Sequence, residues 1–318
     1  MSRYIVKRLL MMIPVILGVT WFVFTLMYFT PGDPAQIILG ADATEQEIQE
    51  KREELGLNGS YLERFGTYLK QVFVDGDLGT SYIYNNSIAD EIAARFPNTF
   101  KIAAISVVLA VIIGLPLGVM AAVNQNTWKD NGSMFLALFG VSMPSFWFAL
   151  MMVIVLSLHL KLLPATGLDS WKCYIMPCVS IAIGGAAGIA RQTRSSMLEV
   201  IRQDYITTAR AKGQTEFLVT YKHALRNALI PIITQVGNML GIQLGGAIVA
   251  ESIFSVPGLG TYMVSAIKNR DYPVVQGSVL VVAICFGLVM LLVDIVFAFA
   301  DPRIRSQYQK KKKVAKEA

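Results

Sequence analysis

Long apolar runs separated by polar segments dominate the chain. Six of them are each near or above the roughly 20 residues with which a helix crosses the hydrocarbon core of a bilayer. They cover residues 9–29, 102–123, 134–158, 174–190, 229–250 and 278–300. The fourth run is the shortest, and we expect its helix to continue past Arg191. A soluble helical protein can bury one such run but not six, so the pattern predicts an all-α polytopic membrane protein with six transmembrane helices.

Composition supports this class. Only 16% of the residues are charged and 54% are hydrophobic, whereas a soluble globular domain carries roughly 25% charged residues. The first run follows a basic start, but it exceeds the roughly 7–15 apolar residues of a signal peptide, and no small-residue cleavage motif follows it. We therefore expect residues 1–30 to form a cytoplasmic start and a retained first transmembrane helix.

The polar segments differ in basic charge according to the side of the membrane on which they fall. One set carries 18 Lys and Arg residues, and the other, although longer, carries 9. Because basic residues accumulate on the cytoplasmic side of a plasma (inner) membrane, the first set is predicted to be inside, together with both termini. That set is 1–8, 124–133, 191–226 and 301–318. The net charge of +6 is spread over these segments and needs no nucleic-acid partner.

The predicted outer segment, 31–97, has helix signals of its own. Thr44 and Glu47 fit a capping box, an amphipathic run follows between residues 62 and 73, and "GDLG" (76–79) is typical of a turn. We expect a small extracytoplasmic helical subdomain here. A transmembrane core (98–300) and a basic cytoplasmic tail (301–318) complete the chain.

Glycines recur at intervals of four in several predicted spans, a spacing that lets helix backbones approach closely in lipid. The candidates for helix packing include Gly184, Gly188, Gly237, Gly241 and Gly245. The fifth span also carries the polar residues Thr234, Gln235, Asn238 and Gln243. These side chains either hydrogen-bond to neighbouring helices or face a water-filled path. "SMPSFW" (142–147) contains a proline at which a broken helix is tolerated if protein covers the freed carbonyls.

Ionisable groups inside the predicted spans are scarce. Asp294 lies about 10 Å along a helix from Asp301, so we expect it to pair with a basic residue near the inner interface. Ion-coupled transporters and intramembrane enzymes usually need several buried ionisable groups, and no catalytic or phosphate-binding motif occurs. We therefore expect no catalytic residue, metal or cofactor in this chain, with energy supplied by a partner. A stand-alone ion-coupled secondary transporter is the alternative from a different class.

The largest inside segment, 191–226, contains "DYITTARAKG" (204–213), which is typical of a short helix. Tyr205, Ile206 and Ala209 give this helix an apolar side, and we expect Gly213 to cap its carboxyl end. "EFLVTYKHALRNALIP" then predicts a second helix that leads into the fifth span. A slim helix of this kind fits a groove in another protein, although an ordinary interfacial loop has the same pattern.

Short motifs follow one another in a fixed order along most of the chain. They are "TPGDP" (30–34), "LGL" (55–57), "GDLGTS" (76–81), "PNTFKIA" (97–103), "SMPSFW", "TARAKG", "HALRNALIP", "ESIFSVPGLG" (251–260), "NRDYPVVQG" (269–277) and "DPRIR" (301–305). Together they resemble the peptide/nickel branch of ABC importer permeases, in its first-permease type with a long outer segment after span one. In that family the cytoplasmic loop reads Glu-Ala-Ala, three residues, then Gly. Thr207, Thr208 and Ala209 take the first three positions here, so the glutamate and the first alanine are missing.

This resemblance implies the type I ABC importer permease fold and a permease subunit of an ATP-driven importer. The implied partners are a second homologous permease, two ABC ATPases that bind ATP and Mg, and an extracytoplasmic solute-binding protein. Dipeptides or oligopeptides are the expected cargo, with nickel or another metal chelate, or glutathione, as alternatives.

The resemblance also assigns roles to two groups of residues. The ATPases would be coupled through Asp204, Tyr205, Thr207, Thr208, Ala209, Arg210, Ala211, Lys212 and Gly213. An outer gate or a contact with the binding protein would involve Glu251, Phe254, Pro257, Gly258, Gly260, Arg270 and Asp271.

Overall fold

The computed structural model describes residues 2–40, 42–245 and 247–300, and the basic tail 301–318 with its "DPRIR" motif lies outside them. Every regular element in the described part of the chain is helical, which confirms the all-α class. The α-helices are α1 (Ser2–Phe29), α2 (Pro34–Leu39), α3 (Glu45–Glu54), α4 (Tyr61–Phe73), α5 (Ile88–Val123), α6 (Trp128–Ser142), α7 (Ser145–Met152), α8 (Ile175–Ile201), α9 (Asp204–Ala211), α10 (Glu216–Leu218), α11 (Arg226–Leu244), α12 (Ile248–Ile253), α13 (Leu259–Lys268) and α14 (Tyr272–Ala300). Val153–His159 and Val219–Leu225 are π-helical, and Trp171–Tyr174 is a 3₁₀ turn.

Four described helices are long and apolar enough to cross a membrane. They are α1, α5, α8 together with the 3₁₀ turn before it, and α14. The helices α6 and α7 can form a fifth crossing, bent by 92°. The bend lies at Met143 and Pro144, because proline supplies no backbone N–H to continue the first helix. The fourth apolar run continues past Arg191 to Ile201, as predicted.

The predicted fifth span, 229–250, is not one continuous apolar helix. Its first part belongs to α11, which ends at Leu244, and its last part belongs to the short helix α12. The amide side chains of α11 lower its mean hydropathy, so α11 does not qualify as a span by length and composition. Polar residues inside a membrane helix are tolerated where they face protein or a water-filled cavity, and the amides of α11 line a groove.

The contact between α5 and α8 is the most extensive of all helix–helix contacts in the described chain. A Cβ atom on Gly114 would lie 2.4 Å from the carbonyl oxygen of Ala186, and one on Gly118 would lie 2.5 Å from that of Ala190. Only glycine allows the two backbones to come this close. This pair therefore forms the scaffold against which α11 is positioned.

The glycines predicted to pack helices fall into two groups. Gly237 and Gly241 face α14, where an added Cβ would come within 2.2 Å of Val293 and 2.5 Å of Phe286. Gly188 faces the Gln235 side chain, and a Cβ on Gly245 would be closest to a carbonyl of its own helix. A Cβ on Gly184 would meet no described atom of this chain within 4 Å, so the packing role of Gly184 stays a prediction. Gly185 makes the close contact instead, since one residue rotates the position by about 100° around the helix.

Two ion pairs join the ends of neighbouring helices. Arg8 on α1 donates to Asp294 on α14 at 2.9 Å, which confirms the predicted basic partner. Arg194 on α8 donates twice to the buried Asp130 on α6, at 2.6 and 2.7 Å. A bidentate guanidinium–carboxylate pair fixes geometry as well as charge. Both carboxylates are thus held in place by arginine.

The outer subdomain consists of α2, α3 and α4. The capping box of Thr44 and Glu47 is present as predicted, and hydrogen bonds from the Thr44 backbone and side chain lower the pKa of Glu47. Phe24 of α1 packs against three aromatic rings of α4, with centroids 5.1 to 5.8 Å apart. Aromatic pairs at such distances stabilise an interface beyond their buried area, so α4 is fixed against α1.

Candidate functional site

The helix α9 is anchored by two residues on one side. Ile206 is fully buried and Ala209 is 7% exposed, and both belong to the apolar cluster that includes Met197 and Val219. Gly213 follows the helix with φ +73° and donates its N–H to the carbonyl of Arg210 at 2.9 Å. This left-handed residue ends the helix as the sequence predicted. The helix therefore sits on the body of its own chain in a fixed orientation.

The other side of α9 is open to solvent. Tyr205 is 45% exposed, although the sequence pattern placed it on the apolar side together with Ile206 and Ala209. Ile206 and Ala209 are buried as expected, and Tyr205, about 100° around the helix from Ile206, points outward. The remaining exposed residues are Asp204, Thr207, Thr208, Arg210, Ala211 and Lys212. Arg210 pairs with Glu216 at 2.9 Å, so part of its charge is neutralised within the loop.

A groove of about 530 Å³ lies between α8 and α11. Gly184 and Gly185 form its floor on α8, and Gln235, Asn238 and Gln243 line it from α11. Within the described residues, none of these three amides has a hydrogen-bond partner, whereas Thr234 donates to a carbonyl of its own helix. In the part of the chain that the structure describes, these three amides therefore form no hydrogen bond between helices.

A buried carboxylate fixes the outer end of the chain's core. Glu251 of α12 is fully buried. It accepts hydrogen bonds from the Thr99 hydroxyl of α5 at 2.8 Å and from the Thr261 N–H of α13 at 2.9 Å. The Thr99 oxygen also accepts from the Leu259 N–H at 2.8 Å. A Cβ on Gly258 would lie 2.4 Å from the Glu251 carboxyl carbon, so the turn needs glycine. We refer to Glu251, Thr99, Gly258 and Thr261 as the outer lock.

A second set of contacts joins α14 to the outer subdomain. The buried carboxylate of Asp271 accepts from the Ser81 hydroxyl and, at 3.0 Å, from the Tyr82 N–H. Arg270 donates to the carbonyl of Pro31 and occupies the place where a Gly32 side chain would lie. The motifs "TPGDP" and "GDLGTS", which are far apart in sequence, therefore both meet "NRDYPVVQG".

The predicted outer residues are mostly interior. Glu251, Phe254, Gly258, Gly260 and Asp271 are all buried, while Pro257 is exposed and Arg270 is half-buried. The buried five hold the outer loops in shape and are not available for direct contact with another protein in this conformation. Sequence reasoning did not single out Thr99, Thr261 and Ser81, although "PNTFKIA", "GDLGTS" and the residue after "VPGLG" contained them.

The fold, the close helix contacts at small residues and the short helix α9 exposed on one side fit a polytopic membrane protein. The family described as "Binding-protein-dependent transport system inner membrane component" matches residues 114–306. The family described as "Binding-prot-dependent transport system membrane comp, N-term" matches residues 1–103. The chain belongs to this family of binding-protein-dependent, ABC-type permeases.

Relatives match the chain over almost its full length. It is 44% identical to the dipeptide transport system permease protein DppB of Alkalihalophilus pseudofirmus, across 96% of this chain and 100% of the relative. It is 42% identical to the glutathione transport system permease protein GsiC of Escherichia coli K12, across 96% and 99%.

Solved structures show the same fold. The MetNI methionine ABC transporter in an inward-facing conformation gives a TM-score of 0.57 at 19% identity, covering 66% of this chain and 96% of that chain. A second crystal form of MetNI gives 0.58. The type I importer permease fold expected from the sequence is confirmed.

Proposed function

We propose that the chain forms, with a second homologous permease, the path of an ATP-driven importer for short peptides. The observation that carries the proposal is the groove between α8 and α11, whose lining holds three amides and no charged side chain. An amide side chain both donates and accepts hydrogen bonds, which matches the peptide groups of any sequence. The relatives are named for dipeptide and for glutathione transport, and both cargoes are short peptides.

In this proposal α9 docks on a cytoplasmic ATPase. Its inner side is fixed by Ile206 and Ala209, and its outer side is exposed. A helix held rigidly on one side transmits a displacement from the other. Two ATPases carrying ATP and Mg would bind below, with both termini of this chain on the same cytoplasmic side. The permease itself would have no catalytic residue, and a solute-binding protein would deliver the cargo outside.

The contacts of the carboxylates argue against the ion-coupled alternative. A coupling carboxylate must gain and lose a proton or an ion during transport. Asp294 and Asp130 are each paired with arginine, and Glu251 is held by hydrogen bonds. These contacts fit structural roles for the three groups, which supports an energy supply from a partner.

Reconstitution tests the function directly. The complex purified from native membranes should contain a second permease and two ATPase subunits. In liposomes it should take up di- and oligopeptides only with ATP and a loaded binding protein. Glutathione and nickel chelates, tested in parallel, would assign the cargo to one of the alternatives. Uptake by the isolated chain, driven by an ion gradient without ATP, would contradict the proposal.

Asn238→Leu should reduce peptide uptake roughly five- to tenfold, because about 1 kcal/mol is lost with each hydrogen bond to the cargo. Basal ATP hydrolysis and thermal stability should change little, since the Asn238 side chain has no partner within the described residues. Ile242→Leu, a conservative change in the same groove lining, is the matched control. Equal uptake by the two variants would show that the groove is not part of the transport path.

A further inference from the structure

A cavity of about 500 Å³ lies in the outer part of the chain, between α1, α3, α4 and the start of α14. It shares no lining residue with the groove between α8 and α11. Its volume is typical of a small-molecule site. Aromatic rings form much of its wall: Phe24, Tyr28, Tyr68, Tyr82 and Tyr272.

Arg64 of α4 supplies a cation to this cavity. Its guanidinium lies 5.1 Å from the centroid of the Tyr28 ring, and it donates only a long hydrogen bond, 3.5 Å, to the Leu57 carbonyl. It forms no ion pair with any residue in the described ranges. Arg64 also borders an adjoining cavity of about 240 Å³. An arginine in such a position binds a carboxylate through two parallel hydrogen bonds.

Acidic side chains line the same cavity. Glu63 accepts hydrogen bonds from the Ser60 backbone and hydroxyl, which lower its pKa, so it is ionised at neutral pH. Glu54 is the second carboxylate, and it lies 2.8 Å from Lys51. Burial raises the pKa of Tyr68 to about 12, so its hydroxyl remains a donor at neutral pH. The cavity therefore offers a cation, anions, hydroxyl donors and aromatic surface together.

We propose that this outer cavity binds a short peptide with free termini, with the carboxylate held by Arg64 and the ammonium group facing Glu63 and Glu54. The aromatic rings would cover the peptide side chains without selecting one of them. The proposal rests on the proposed function, because it takes short peptides as the cargo, and it adds a binding site for them outside the groove. Peptide bound here is held at the outer face before it enters the path.

A direct binding measurement tests the site. The probe is the dipeptide Ala-Phe, titrated against the full-length chain in nanodiscs and compared with its C-terminal amide and its N-acetyl form. We expect the amide to bind about tenfold more weakly, since it loses the charge-assisted pair with Arg64. Arg64→Gln should weaken Ala-Phe to the level of the amide. Lys70→Gln, which removes an exposed cation from the same helix outside the cavity, should leave the affinity unchanged.

Equal affinity for the acid and the amide, or unchanged Ala-Phe binding by Arg64→Gln, would overturn the proposal. The experiments distinguish a wrong proposal for this cavity from a wrong proposal for the importer function. If Ala-Phe does not bind but the complex still imports peptides with ATP, the permease function stands and the cavity is not a peptide site. If Arg64→Gln instead weakens only the docking of the binding protein, the carboxylate belongs to that protein, and the small-ligand proposal is wrong.

Discussion

Gly213→Pro should abolish ATP-driven uptake while the protein still inserts in the membrane at normal levels. Proline fixes φ near −65° and has no N–H, whereas Gly213 adopts φ +73° and donates to the Arg210 carbonyl at 2.9 Å. The variant therefore loses the bond that ends α9, and the chain leaves the helix in another direction. Uptake in liposomes and membrane content by immunoblot measure the two effects.

Gly213→Asn is the matched control, because asparagine tolerates the left-handed conformation at a helix end. A Cβ at this position meets no atom within 4 Å, so the cost is conformational and not steric. We expect this variant to keep most of its uptake. If Gly213→Pro transports at more than half the wild-type rate, the geometry of this helix end is not needed for coupling.

Local features of the fold followed directly from the sequence. Four of the six apolar runs, the capping box at Thr44, the helix break at Pro144 and the left-handed Gly213 depend on residues only a few positions apart. The break and the helix end have a backbone cause, a missing N–H or a free φ, that acts in any environment. These predictions are confirmed for that reason, whereas the fifth run is divided between two helices.

The rotation of each helix about its own axis, which decides the face that is buried, was predicted less well. Tyr205, Ile206 and Ala209 were all expected on the apolar side of α9, but only Ile206 and Ala209 are buried there. On α8, Gly185 makes the close contact with α11, while a Cβ on Gly184 would meet no described atom within 4 Å. Each difference is a shift of one residue, or about 100° of rotation. A short or largely apolar helix has too weak a periodicity to fix that angle, so the neighbouring helices decide it.

Which distant motifs contact each other could not be predicted from the sequence either. "PNTFKIA" supplies Thr99 to Glu251, a residue 152 positions further along the chain. "GDLGTS" supplies Ser81 to Asp271, which is 190 positions away. The sequence identified the motifs and their order but not which of them contact each other. Local patterns and motif spacing do not show which distant segments pack together. The two carboxylates explain why these polar motifs surround the outer end of the core.

Glu251→Ala should open the outer lock and cause the largest loss of stability among the changes considered. The Thr99 hydroxyl and the Thr261 N–H, now bonded at 2.8 and 2.9 Å, would lose their acceptor. A buried polar group without a partner costs roughly 1–3 kcal/mol, and a cavity would remain beside Gly258. We expect a lower unfolding temperature of the detergent-solubilised complex. We also expect roughly tenfold lower uptake at 37 °C, since about 1.4 kcal/mol shifts the equilibrium between the intact and the opened outer lock tenfold.

Two further variants separate the lock from a general loss of folding. Thr99→Val keeps the shape of the side chain but removes the donor to Glu251 and the acceptor of the Leu259 N–H, so its unfolding temperature should also fall below that of wild type. Ser252→Ala changes an exposed neighbour on α12 and should behave as wild type.

Because the lock joins α5, α12 and α13, loosening it should also let a thiol reagent reach a cysteine placed at Leu259, which is now fully buried. Wild-type stability and uptake in Glu251→Ala would show that the buried carboxylate does not hold the outer loop.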